Sequence, residues 1–195
     1  MTSQPNPFTG RVATIALLYL LGYLIASSLD LTTTALALRR SEVHEQNVFV
    51  TNAQVYASAR AWAITLVGGL IMVACVVFAR RNAWRVEEVW LRRPVRSFAL
   101  FYLNPWSRNA IGRSPLHMLS FAIAFVAFRV LAAGNNTLIY LYGVAPIGAP
   151  IQWIARRTSP VFGFAVVIVV LFYALAIAAS PLASRMVKSW QNAGA

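Results

Sequence analysis

The sequence predicts an all-α polytopic membrane protein, with four transmembrane helices in one bundle and a basic cytoplasmic loop at the interface. Three observations carry this. Hydrophobic residues make up 59% of the 195 residues and charged residues only 11%, against about 25% charged in a soluble domain. The apolar residues gather into four runs. The 17 Lys+Arg against 5 Asp+Glu, a formal +12, cluster at the ends of those runs. Such a composition excludes an ordinary globular enzyme, a disordered chain and a disulfide scaffold. Cys75 is the one cysteine, so no intrachain disulfide or cysteine-rich metal site can form.

A spanning helix needs roughly 20 mainly apolar residues. The first run, about 12–38, ends at Arg39-Arg40. Ala35-Leu36-Ala37 looks like a signal-peptidase site. The apolar stretch before it exceeds the roughly 7–15 residues of a signal core, which favours a retained helix. The second run, about 61–79, ends at Arg80-Arg81. The third, about 116–143, follows Pro115 and carries a polar interruption at Gly134-Asn135-Asn136-Thr137. The fourth, about 161–180, lies between Pro160 and Pro181. A proline suits a first helical turn, where its missing N–H costs little, so Pro115 and Pro160 read as helix starts. Pro181 reads as a stop.

Arginine placement sets orientation. The 80–115 segment, the C-terminal tail and Arg11 together hold eleven basic residues, and the other side holds five. Both termini and the 80–115 loop are therefore expected on the cytoplasmic side of a bacterial inner membrane. Sixteen of the seventeen basic residues are arginine, which fits a GC-rich bacterial genome. Arg80, Arg81, Trp84, Arg85, Trp90, Arg92, Arg93, Arg96 and Trp106 read as contacts for anionic lipid or for another subunit. Within this loop Asn82–Arg93 can form a surface helix, although Trp84 and Leu91 share a face that Val86, Val89 and Trp90 do not. The 98–103 stretch is apolar but too short to span, and reads as interfacial or re-entrant. The positive charge tracks helix ends and no recognition motif accompanies it, so nucleic acid is not an expected partner.

Polar residues inside the spans are the informative ones. Asp30 lies in the first and Arg129 in the third. At 1.5 Å per residue, both fall about 20–27 Å from the cytoplasmic ends of their helices. That similar depth makes them candidate ion-pair partners, with Arg60 as the alternative partner for Asp30. Tyr19, Tyr23, Ser27 and Thr34 recur with Asp30 at helical spacing, with Thr33 beside them, and form a polar stripe. Glu42, His44 and Glu45 form an acidic/His cluster in the first outer loop, without the spacing of a standard zinc helix. His44 and His117 fall on opposite sides, so they cannot jointly hold a haem. No metal or other cofactor is expected. Gly68-Gly69 and Gly163 read as points of close helix approach. Asn135-Asn136-Thr137 matches a glycosylation pattern but reads here as a helix-end or polar packing feature.

The Leu29-Asp30-Leu31-Thr32-Thr33-Thr34 stretch, followed by Glu42 or Glu45 with Asn47 and a second apolar helix, resembles the DUF5658 family of small prokaryotic membrane proteins. The resemblance covers about residues 12–80. It marks Asp30 and Glu45, and it departs where Val48 replaces the family's proline. It implies a membrane helical fold and no activity.

Three functions follow as expectations. The leading one is a non-enzymatic accessory or scaffold subunit of a larger inner-membrane assembly, associating with other subunits or itself. A second is a small oligomeric transporter or channel with Asp30 and Arg129 lining the path. A third is a membrane-embedded enzyme with an outward-facing acidic/His site. A path needs the groups around Asp30 to open onto water, whereas a scaffold closes them on each other.

Overall fold

The structure is a computed structural model and describes residues 10–39, 59–103 and 110–193, with the side chains of 10, 11, 100–103, 110 and 111 excepted. It is all-α. In order run α1 (Gly10–Ala37), α2 (Ala59–Arg81), a 3-10 turn (Ala83–Arg85), α3 (Glu88–Arg92), α4 (Pro94–Leu103), α5 (Ala110–Tyr142), α6 (Gly148–Ala155) and α7 (Pro160–Asn192). The long helices α1, α2, α5 and α7 form a helical bundle, and each is long and apolar enough to cross a membrane. The chain is an integral membrane protein.

Two of these helices are longer than expected. α7 does not stop at Pro181 but continues to Asn192. Pro181 cannot donate to the Ile177 carbonyl, as a residue four positions on normally does. The Ser180 hydroxyl donates to that carbonyl instead, at 2.7 Å. α5 starts at Ala110, so Pro115 lies inside the helix and not in its first turn. Nor does α5 break at Gly134–Thr137. Thr137 donates back to the Ala133 carbonyl at 2.8 Å, and the two asparagines find partners on other segments, described below. α5 ends at Tyr142, followed by Gly143 with φ 72°. A left-handed residue just past a helix favours glycine, and the Gly143 N–H closes the last turn on the Ile139 carbonyl at 2.9 Å.

The chain divides into two compact units, each taking part of every long helix. The first comprises residues up to Gly22, Gly69–Phe125 and Leu175 onward. Its core joins Val76 and Ala79 of α2, Leu116, Leu119 and Ala122 of α5, and Ala183, Val187 and Trp190 of α7. Tyr19 donates to the Ala122 carbonyl at 2.7 Å, tying α1 to α5. The expected surface helix over 82–93 is broken. Val86 and Glu87 are extended between the 3-10 turn and α3, which buries Val86 and Leu91 although they are out of phase on one helix. The end of α7 holds this shape. Gln191 donates to the carbonyls of Ala83 and Val86 at 2.9 and 2.8 Å, and Ser184 donates to that of Leu91 at 2.6 Å. In α4, Phe98 is fully buried and packs on His117 and Phe121 with centroids 5.2 and 5.6 Å apart. The 98–103 stretch therefore begins inside the protein rather than beneath headgroups.

The second unit comprises Tyr23–Gly68 and Val126–Ala174. Tyr23 is fully buried and donates to the Thr65 carbonyl at 2.9 Å, tying α1 to α2. α6 packs on α7 at Gly163. A Cβ there would lie 2.7 Å from the Ile151 carbonyl oxygen and 2.9 Å from the Ala155 nitrogen, so only glycine fits.

Candidate functional site

The second unit holds a polar cluster on segments that are otherwise apolar. Arg129 of α5 donates from Nη1 to Oδ2 of Asp30 on α1 at 2.8 Å. Asn136, seven residues further along α5, lies on the same face. Its Nδ2 contacts Oδ1 of Asp30 at 3.3 Å and Oγ1 of Thr34 at 2.7 Å. Thr34 in turn donates to the carbonyl of Asp30 at 2.8 Å. Asn135 continues the chain, with Nδ2 at 3.4 Å from Oδ1 of Asn136, while its own Oδ1 accepts the N–H of Ile147 at 3.0 Å. Both carboxylate oxygens of Asp30 are thus occupied, and a hydrogen-bonded series runs from α1 across α5 to the residue preceding α6.

The side chains of Asp30 and Arg129 retain 10% and 20% of their exposure. Tyr23 also lies against the Arg129 guanidinium. An ionised group near the bilayer centre costs at least about 2.5–3.5 kcal/mol on the insertion scale. Pairing a carboxylate with a guanidinium and an amide offsets part of that cost, because each charge meets a donor or acceptor where water is scarce.

The structure sorts the expected site residues. Asp30 pairs with Arg129 and not with Arg60, which is exposed on the first turn of α2. Of the polar stripe, Thr34 joins the cluster, and Tyr19 and Tyr23 bond the backbones of neighbouring helices. Thr33 does not join it. Its hydroxyl turns back onto the carbonyls of Leu29 and Asp30 at 2.8 and 3.1 Å. Ser27 is fully buried. Glu42, His44, Glu45 and Trp106 lie outside the described residues. Among the described residues no group of three metal-ligating side chains occurs.

Asn136, read from sequence only as part of a helix-end or polar packing feature, is the member whose place beside Asp30 sequence reasoning missed. Its heptad spacing from Arg129 was the available signal, hidden because a Gly-Asn-Asn-Thr run reads as a helix interruption.

The basic segment also divides. Arg80 is not a lipid contact: it is buried at 3% exposure, its Nη1 lies 3.5 Å from the Trp190 carbonyl, and its guanidinium lies 5.6 Å from the Trp190 ring. Trp190 is part of the core. Trp90 is half-buried, with the buried Arg113 4.4 Å above its ring. Arg81, Trp84, Arg85, Arg92, Arg93 and Arg96 are exposed. Arg85 stacks over Trp84 at 5.0 Å. Arg92 bridges Glu88 at 2.8 Å on the surface of α3 and holds that carboxyl below its ordinary range.

Comparison with family models, with curated proteins and with solved structures gives no match.

Proposed function

We propose that the chain is a non-catalytic membrane protein working as a small oligomeric transporter or channel, in which Asp30 and Arg129 line a path and close it by pairing. The observation that carries this reading is the convergence of Arg129 and Asn136 on Asp30 within apolar spans. Packing alone gives little reason to keep charges there, since well-packed apolar residues are often as stabilising as a buried ion pair. Ionisable groups inside membrane spans are rare and often mark ion or substrate paths. Both side chains retain some exposure, which supports a place beside a path. The arginine distribution supports an inner-membrane protein with cytoplasmic termini.

A closed pair equally suits the second reading, an accessory or scaffold subunit in which the pair is a clasp. That reading is favoured by the large apolar surface of the long helices. Leu17, Leu21, Ile64, Val67, Val169 and Val170 are all more than half exposed and would face lipid or other subunits. The resemblance to DUF5658 stands with these proposals, resting on the Leu29–Thr34 stretch, on Glu42 or Glu45 with Asn47, and on the apolar helix that follows.

Ion and proton flux into liposomes carrying the purified chain separates the readings. Transport predicts flux above protein-free liposomes, abolished in the doubly apolar Asp30→Leu/Arg129→Leu variant. A wild-type chain with no flux that co-purifies with a stoichiometric membrane partner supports the accessory reading instead.

A further inference from the structure

Val89 and Trp90 of α3, Arg93 at its end and Arg96 on α4 line a surface groove. We propose that this groove binds one anionic phospholipid, with the Arg93 and Arg96 guanidiniums on the phosphate and the groove taking the glycerol and upper acyl carbons.

Four observations on the first unit support it. Apart from the two guanidinium heads, the groove walls are almost wholly carbon, which suits the glycerol and acyl carbons of a lipid. Arg93 and Arg96 are exposed, and among the described residues neither has a carboxylate partner. Guanidinium forks match phosphate oxygens in geometry as well as charge. Finally, the groove floor is fixed before any ligand arrives, because Arg113 stacks at 4.4 Å on the Trp90 ring and is itself buried.

The two carboxylates of this stretch leave the site cationic. Glu88 is engaged by Arg92, and Glu87 stands at the opposite end of α3 from Arg93. In sequence the groove falls between the ends of two spans, α2 and α5, the level at which headgroups lie. A lipid is the ligand that brings an anion and apolar chains together.

The test is native mass spectrometry of the full chain in micelles, titrated with phosphatidylglycerol and, separately, with phosphatidylcholine. Each arginine near an anionic headgroup contributes about 1 kcal/mol. Arg93→Gln/Arg96→Gln should therefore weaken phosphatidylglycerol binding about twenty- to thirtyfold. Arg60→Gln/Arg156→Gln, which removes the same charge elsewhere, should leave it unchanged. Phosphatidylcholine and glycerol phosphate should compete poorly. The proposal is overturned if the groove variant binds like wild type, if the control variant loses as much, or if glycerol phosphate displaces the lipid at comparable concentration. Both arginines are exposed, so their replacement does not threaten folding.

Discussion

Arg129 and Asn136 stand seven residues apart on α5 and both contact the carboxylate of Asp30 on α1, at 2.8 and 3.3 Å. Two helical turns of one helix thus grip one acidic side chain of another. The grip is a polar cluster within spans that are mainly apolar, and its members are separable by mutation.

Asn136 contributes two of the contacts between α1 and α5, and Asn135 one to the segment before α6. Interhelical hydrogen bonds in membranes average about 0.6 kcal/mol each, with a maximum near 1.7. Asn136→Leu should cost about 1–2 kcal/mol and Asn135→Ala somewhat less. Thr33→Val should cost least, because Thr33 bonds only its own helix. Unfolding in mixed micelles by sodium dodecyl sulfate titration measures the order. A Thr33 effect as large as that of Asn136 would contradict the assignment of partners.

Gly163 and Gly134 are both helical glycines but differ in surroundings. A Cβ at Gly163 meets the α6 backbone at 2.7 Å, whereas one at Gly134 meets nothing within 4 Å. Gly163→Ala should destabilise by about 1–3 kcal/mol, since the backbone must move. Gly134→Ala should be neutral or stabilise by up to about 1 kcal/mol through helix propensity. Thermal unfolding of the two variants side by side checks both, and equal shifts would sink the claim that α6 is seated on α7 at Gly163.

Ser180 and Pro181 should behave as a coupled pair. In the wild-type chain the Ser180 hydroxyl serves the Ile177 carbonyl, so Ser180→Ala should cost about 0.5–1.5 kcal/mol. In a Pro181→Ala background the backbone N–H at 181 is restored and the same change should cost little. A double-mutant cycle reads the coupling. Additive effects would mean that the hydroxyl is not compensating for the proline.

These features also mark where the sequence was readable. The four spans were legible because their length and apolarity are local properties. The Asp30–Arg129 pairing was reachable because helical rise converts position into depth. Gly134–Thr137 and Pro181 misled for one shared reason. Polar runs and prolines end helices only when the freed groups lack partners, and here the partners are a hydroxyl one residue away and groups on other segments. Arg80 misled differently. Its residue type suits an interface, but the extension of α7 beyond Pro181 buries it against Trp190, and nothing local announces that extension.

Asp30 and Arg129 form a specific ion pair between α1 and α5. Its most direct test is charge exchange in lipid nanodiscs, following thermal unfolding of Asp30→Arg, Arg129→Asp and the two combined. Each single change places like charges together where water is scarce, and breaking a buried pair costs up to about 3–5 kcal/mol. Each single variant should therefore unfold well below wild type, and the combined variant should recover a substantial part of the loss. A combined variant no more stable than the worse single change would contradict the pairing.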